Sequence, residues 1–199
     1  MKTCAILILS GGKSTRFGSD KLGALALGKR VIDHTTNAFA ALTQSVFEAG
    51  RGYTTATLID DTVGIDPLSA IARSWKTILT MKIKVPDSLM VVSGDLPNLD
   101  SETVVRLMEF PGTWSVVPDD GQPQPLCARW STKALDRSIK LCEGTTGAVA
   151  VKRALNTGTV VLRDQSWRES GIISPFFDID TVDDLAILEK YWSTREHKG

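Results

Sequence analysis

Short apolar runs, separated by polar stretches that carry glycine, set the rhythm of this chain. Cys4–Leu9 (CAILIL) reads as a buried strand, as do 45–49 (SVFEA), 56–59, 89–92 (LMVV), 114–117, 126–130 and 159–162 (TVVL). Between them the apolar period lengthens to that of a helix. From Arg30, positions 31, 32, 35, 38, 39 and 42 form one stripe. Leu68, Ile71, Ala72, Trp75, Ile78 and Leu79 form the clearest one, with Pro67 at a first helical position. Asp100 or Ser101 is placed to cap a helix carrying Val104, Val105, Leu107 and Met108, and Ser131 one running through Leu141. A further helical stretch covers 147–155, and Leu185, Leu188 and Trp192 mark a last helix. Thr181 and Asp184 resemble a capping box at its start. Leu27-Gly28-Lys29 reads as a turn. Alternating strands and helices predict an α/β/α layered fold with a mainly parallel sheet, in which ligands bind beyond the carboxyl ends of the strands.

The polar clusters fall at those ends: 10–21, 60–61, 93–95 and 178–180. The first, SGGKSTRFGSDK, combines Gly11, Gly12 and Gly18 with Lys13, Arg16 and Lys21. Glycine lets backbone N–H groups approach an anion, and the cations offset its charge, so the stretch suits a polyphosphate. It is neither a P-loop, which needs glycine where Leu7 stands, nor a dinucleotide fingerprint, which needs glycine at Lys13 and Arg16. The plainer alternative is a strand-to-helix loop whose charges face water.

Asp95 follows an apolar strand, between Gly94 and Pro97, and Asp178 and Asp180 alternate around Ile179 so that both face one side of an extended segment. Carboxylates facing a phosphate loop suit Mg²⁺, which binds through one or two carboxylates plus substrate phosphates. Asp95, with Asp178 or Asp180, is therefore a candidate metal ligand. The competing reading makes Asp95 a helix or turn cap and Asp180 the cap of the last helix. His34 lies in a helix and His197 in a polar tail, so neither serves as a catalytic base. Phosphoryl-type transfer can run on positioning and charge neutralisation, without such a base.

The length of 199 residues suits one domain, 1–199, with no repeat or linker. The 23 basic and 23 acidic residues cancel, which argues against a nucleic-acid surface. Cys4, Cys127 and Cys142 show no zinc or disulfide spacing, and no apolar run reaches membrane-spanning length. A cytoplasmic protein with reduced thiols, no membrane contact and no bound nucleic acid is expected.

Leu9 to Lys21, L-S-G-G-K-S-T-R-F-G-S-D-K, is similar to the L-x-G-G-x-S-x-R-M-G-x-D-K signature of the molybdenum cofactor guanylyltransferase (MobA-like) branch of the nucleotidyltransferases. Asp66-Pro67-Leu68-Ser69-Ala70 resembles that branch's Gly-Pro-Leu-x-Gly segment, and Gly94-Asp95-Leu96-Pro97 its metal-binding Asp-x-Pro element. Gln124-Pro125-Leu126 matches a Q-P-[LV] loop, and 177–185 the terminal [DN]-x-[DN]-T-P-E-[DE]-L element. The resemblance implies a Rossmann-like α/β/α nucleotidyltransferase fold that moves GMP from GTP onto the phosphate of molybdopterin, with Mg²⁺ and release of pyrophosphate. It makes Leu9, Gly11 and Gly12 nucleotide contacts, puts Lys21 on the phosphates and Asp61 on the base, and gives Asp95 to the metal; Lys13, by its charge, is a further candidate for the triphosphate. Arg16, Lys21 and Asp95 carry the chemistry, while Asp178 and Asp180 sit near acceptor or metal. The resemblance also implies transient contact with the enzymes that receive the cofactor.

Four departures stand out. Ala49-Gly50-Arg51 replaces Ala-Asn-Arg, which removes one expected base contact and leaves CTP open beside GTP. Asp66 replaces glycine, Val182 proline and Phe17 methionine. Competing readings are a cytidylyltransferase, a guanylyltransferase acting on another phosphorylated acceptor, and a nucleotide-binding regulator without turnover.

Overall fold

The computed structural model of the chain describes residues 3–42, 44–142, 148–155, 158–169 and 171–196. Its organisation follows from the two-residue alternation of the first strand, β1 (Cys4–Leu9). Ile6 and Ile8 point into one apolar core, Ala5 and Leu7 into another, and all four are at most 3% exposed. A strand apolar on both faces must be covered by a layer on each side.

The other strands are β2 (Leu25–Ala26), β3 (Lys29–Arg30), β4 (Val46–Ala49), β5 (Thr57–Asp60), β6 (Ser88–Ser93), β7 (Ser115–Asp119), β8 (Cys127–Ser131) and β9 (Thr159–Arg163). Among the described residues seven of them form one sheet in the order β5-β4-β1-β6-β8-β7-β9, and β2 and β3 make a separate hairpin. Helices α1 (Val31–Asn37), α3 (Ser101–Glu109) and α6 (Val182–Glu196) cover one face, packing Val31, Ile32, Val104, Leu107 and Leu188 against Ile6, Ile8, Met90 and Val92. On the other face α2 (Pro67–Thr80), α4 (Thr132–Leu141) and α5 (Ala148–Leu155) set Leu68, Ile71, Trp75, Leu135 and Val151 against Leu7, Phe47, Val91 and Trp130. Each aliphatic side chain buried this way contributes roughly 1.5–3 kcal/mol. The expected three-layer α/β/α fold is the one observed.

The strands β5, β4, β1 and β6 run parallel, while β8 is antiparallel to both its neighbours. Residues 120–126 between β7 and β8 include no helix that could serve as a parallel crossover. The loops after β1, β4, β5 and β6 therefore emerge at one edge of the sheet, and the start of β8 joins them there.

Several expectations shift in detail. The first helix stops at Asn37, and 38–42 continue as turns bonded three residues back, such as Leu42 N–H to Phe39 C=O at 3.0 Å. Ala38 and Phe39 remain buried, so the apolar period persists where the helix does not. Leu79, counted in the stripe of α2, is 46% exposed. The turn at 27–28 is the tip of the hairpin, with Leu27 and Gly28 both at positive φ (46° and 81°). A 3-10 turn over Gln165–Arg168 had no counterpart in the apolar pattern. Gly147 and His197 lie outside the described residues.

Candidate active site

The site is assembled from four loops at the carboxyl edge. The 10–21 loop leaves β1 with Ser10 N–H bonded to Ala49 C=O at 2.8 Å, and Gly11 accepts from Gly64 N–H at 2.7 Å. A side chain at Gly11 would stand 3.1 Å from the Thr62 carbonyl oxygen, so this backbone is held close to the loop after β5. Leu9, Gly11, Gly12, Lys21 and Asp95 line one cavity of about 220 Å³, together with Thr62, Ile65, Pro67 and Leu126. Five of the sequence candidates thus share a single hollow.

Lys21 is its electrostatic centre. Its Nζ lies 2.5 Å from Asp95 Oδ2 and 3.2 Å from Asp180 Oδ1. Arg16, with its side chain 74% exposed, holds the other oxygen of Asp180 at 2.5 Å. Ser93 Oγ donates to Asp95 Oδ1 at 2.5 Å. Burial opposes the charge of Lys21, but Asp95 and then Asp180 outweigh it, so its pKa lies above the ordinary lysine value. Asp178 is exposed as a residue, yet partial burial of its carboxyl, followed by the charges of Asp95 and Asp180, raises its pKa.

The capping alternatives resolve on geometry. Thr181 and Asp184 make the reciprocal box themselves: Asp184 Oδ2 accepts from Thr181 N–H at 2.7 Å, and Asp184 N–H donates to Thr181 Oγ1 at 3.2 Å. The Asp180 carboxylate is left for Arg16 and Lys21. Asp100, not Asp95, caps α3, accepting from Thr103 N–H at 2.7 Å. Ile179 N–H donates to Asp95 C=O at 3.0 Å, which fixes the 176–180 segment beside the β6 loop.

Two candidates stand apart from this group. Lys13 is exposed, its aliphatic stem passing over Gly64. Asp61 lines a separate surface hollow with Asp60 and Arg73, and Arg73 Nε lies 2.7 Å from Asp60 Oδ2. His34 bonds Ala26 C=O at 2.8 Å and packs on Trp192, away from the cluster. Cys127 is fully buried, and burial pushes its thiol pKa well up.

Other residues at this edge were not singled out from the sequence. Glu48, 0% exposed, accepts from Ser10 Oγ (2.5 Å), Tyr53 N–H (2.8 Å), Thr54 N–H (2.9 Å) and Thr54 Oγ1 (2.7 Å). Burial works against its charge, but the bonds from Ser10, Thr54 and Tyr53 prevail and its pKa falls below the ordinary glutamate value. Tyr53 OH donates to Asp20 Oδ1 at 2.5 Å; burial and then Asp20 push the phenol up to about 12. A glutamate inside an otherwise apolar strand was the one available signal.

The donor chemistry of the cluster suits a hard cation: three carboxylates stand near one another, and Asp95 and Asp180 already share one ammonium. Among the described residues no group of three or more His, Cys, Asp or Glu forms a ready-made metal cage. The arrangement fits an ion shared with substrate phosphates rather than a fully protein-bound one.

The model of the MobA-like NTP transferase domain matches residues 6–159. The chain belongs to this family. One relative, the molybdenum cofactor guanylyltransferase of Rhizobium johnstonii, is 24% identical over 93% of this chain and 91% of its own length. The probable molybdenum cofactor guanylyltransferase of Aquifex aeolicus is 29% identical over 55% of this chain, and the match spans 53% of that relative. In fold, the chain is similar to the crystal structure of molybdopterin-guanine dinucleotide biosynthesis protein A from Archaeoglobus fulgidus. The two share a TM-score of 0.74 at 21% identity, covering 96% of this chain and 99% of that one.

As a MobA-like NTP transferase, the chain departs from the sequence signature for visible reasons. Asp66 caps α2, accepting from Leu68 N–H at 3.1 Å and Ser69 N–H at 3.2 Å. Val182 opens α6 in the open, 60% exposed. Gly50, at φ +136°, is pressed on the 10–21 loop: a Cβ there would stand 2.3 Å from Gly11 N. The position that carries asparagine in the resembling signature is here a backbone contact. Among the described residues, no helix is long and apolar enough to cross a membrane.

Proposed function

We propose that this chain transfers GMP from GTP to the phosphate of molybdopterin and releases pyrophosphate. The observation that carries the reading is Lys21, held between Asp95 and Asp180 at the wall of a cavity lined by Gly11 and Gly12. The names borne by the relatives supply the acceptor.

The Gly11–Gly12 backbone receives the triphosphate, and Lys21 exchanges a carboxylate for a phosphate oxygen. Arg16 adds a second, more mobile cation at the exposed side. An acceptor phosphate oxygen then bonds to the α-phosphorus as the bond to the α–β bridging oxygen breaks, and the electron pair leaves on pyrophosphate. A phosphomonoester is largely dianionic near neutral pH, its second pKa being about 6, so the attacking group needs no strong base from the protein. Lys21 and Arg16 offset the charge that accumulates on the leaving group. Mg²⁺, held by Asp95 with Asp178 or Asp180, would supply further charge neutralisation on the phosphates.

Gly50 favours a second reading at the level of the base. It offers no side chain where a guanine contact is expected, so CTP is an alternative donor. Incubating the protein with Mg²⁺, each of four α-labelled nucleotides and molybdopterin separates these. GTP is expected to give labelled acceptor with stoichiometric pyrophosphate. Transfer from CTP alone selects the second reading, and no transfer from any nucleotide sinks both.

A further inference from the structure

The loop that carries the phosphate-binding residues is tied down at both ends by one short segment, 48–54. At its start, Ser10 Oγ donates to Glu48 and accepts from Arg51 N–H at 3.0 Å. Just beyond, Gly50 leaves no room for a side chain against Ser10 and Gly11. At its end, Tyr53 OH holds Asp20, the residue before Lys21. Glu48 also fixes the Tyr53 and Thr54 amides, so the piece that grips Asp20 hangs on the same carboxylate that grips Ser10.

We propose that Glu48 is the positioning residue of the nucleotide loop, and that Tyr53 carries its hold to the Lys21 end. The role rests on the nucleotidyltransfer reading for its catalytic meaning, but its structural half stands without it. Glu48 does not itself line the cavity, and its carboxylate bonds Ser10, Tyr53 and Thr54, so it acts through others. Its charge has a specific use. Oε1 takes Ser10 Oγ and Tyr53 N–H, and Oε2 takes Thr54 N–H and Oγ1. A glutamine has one acceptor oxygen and one NH₂, so it faces donors with a donor on one side and must release one pair.

Three variants test this: Tyr53→Phe, which deletes one hydroxyl at a half-buried site, Ser10→Ala and Glu48→Gln. Each is compared with the unaltered protein by amide hydrogen exchange without ligand, and by steady-state kinetics with nucleotide and acceptor varied separately. Exchange is expected to quicken across 11–21 in all three while the β6 and β8 amides keep their protection. The nucleotide KM should rise roughly tenfold to a hundredfold with the acceptor KM unchanged. Tyr53→Phe added to Glu48→Gln should cost little more than Glu48→Gln alone, because both act through one tether. Unchanged exchange over 11–21 in Tyr53→Phe overturns the proposal, whatever the protein binds. So does a fall in kcat with both KM values unmoved. If the unaltered protein transfers no nucleotide while the exchange pattern appears, the functional reading fails and the tether stands.

Discussion

Two groups of carboxylates sit at the same edge of the sheet and are held in opposite ways. Glu48 is sealed from solvent and satisfied by hydroxyl and amide donors that belong to fixed backbone. Asp95, Asp178 and Asp180 are partly open and crowd one another; Asp95 and Asp180 share the ammonium of Lys21, and Asp180 also pairs with the exposed guanidinium of Arg16. Hydrogen bonds that outweigh burial leave the first with a lowered pKa, whereas burial and then the neighbouring charges of Asp95 and Asp180 leave Asp178 with a raised one. Neutral donors locked in place make a permanent anchor. Cations shared among repelling carboxylates make a cluster that, on the transfer reading, exchanges a partner for an incoming phosphate.

The contrast breaks most visibly at Glu48. Glu48→Ala leaves hydroxyl and amide donors buried without an acceptor, and stability should fall by about 3 kcal/mol or more, read as a lower urea midpoint. Gly50→Ala comes next. It adds a side chain at φ +136° against the Ser10–Gly11 backbone, so about 2 kcal/mol of stability and much of the nucleotide affinity should go together. Acid titration sharpens the anchor further. Because the folded pKa of Glu48 lies below its unfolded one, the unfolded chain binds more protons as pH falls, so this contribution is whole above the unfolded pKa. It should fade from about pH 5 downward, and the Glu48→Gln protein should show a flatter loss of urea midpoint over that range.

The smallest effect lies in the cluster. Asp178 is harder to ionise folded than unfolded, so at neutral pH its charge weakens the folded state. Asp178→Asn should raise stability slightly, by no more than about 0.5 kcal/mol for so exposed a group, and high salt should shrink the gain. A clear loss of melting temperature in Asp178→Asn would contradict the view that these carboxylates repel.

Much of the fold was legible because burial on two faces writes itself as unbroken apolar strands, and burial on one as helical stripes. The limits are physical too. Apolar period reports burial rather than hydrogen bonding, so Ala38 and Phe39 extended a helix that ends at Asn37. There Thr35 and Thr36 hydroxyls return to the Val31 and Asp33 carbonyls, a local competition that often bends or ends helices. The Leu25–Ala26 and Lys29–Arg30 hairpin is too short to show alternation. At the site, residue type and strand-end position brought Gly11, Gly12, Lys21, Asp95 and Asp180 into view, since charges at those ends have few other uses. Whether Asp180 capped α6 depended on Asp184 reaching back to Thr181, which spacing suggested and only geometry decides. Glu48 stayed hidden because its partners lie 38 residues earlier at Ser10, and in a turn at 53–54 with no distinctive composition.

The central claim is that the Lys21–Asp95–Asp180 cluster performs transfer while the Glu48 side only holds the loop in place. Its most direct test is the rate at which Lys21→Ala and Asp95→Ala proteins pass an α-labelled nucleotide to molybdopterin, each first shown to keep the melting temperature of the unaltered chain within a few degrees. Both should fall by roughly 10²–10³-fold or more, as expected when a group that meets developing phosphate charge is removed. Transfer by both at the unaltered rate would contradict it.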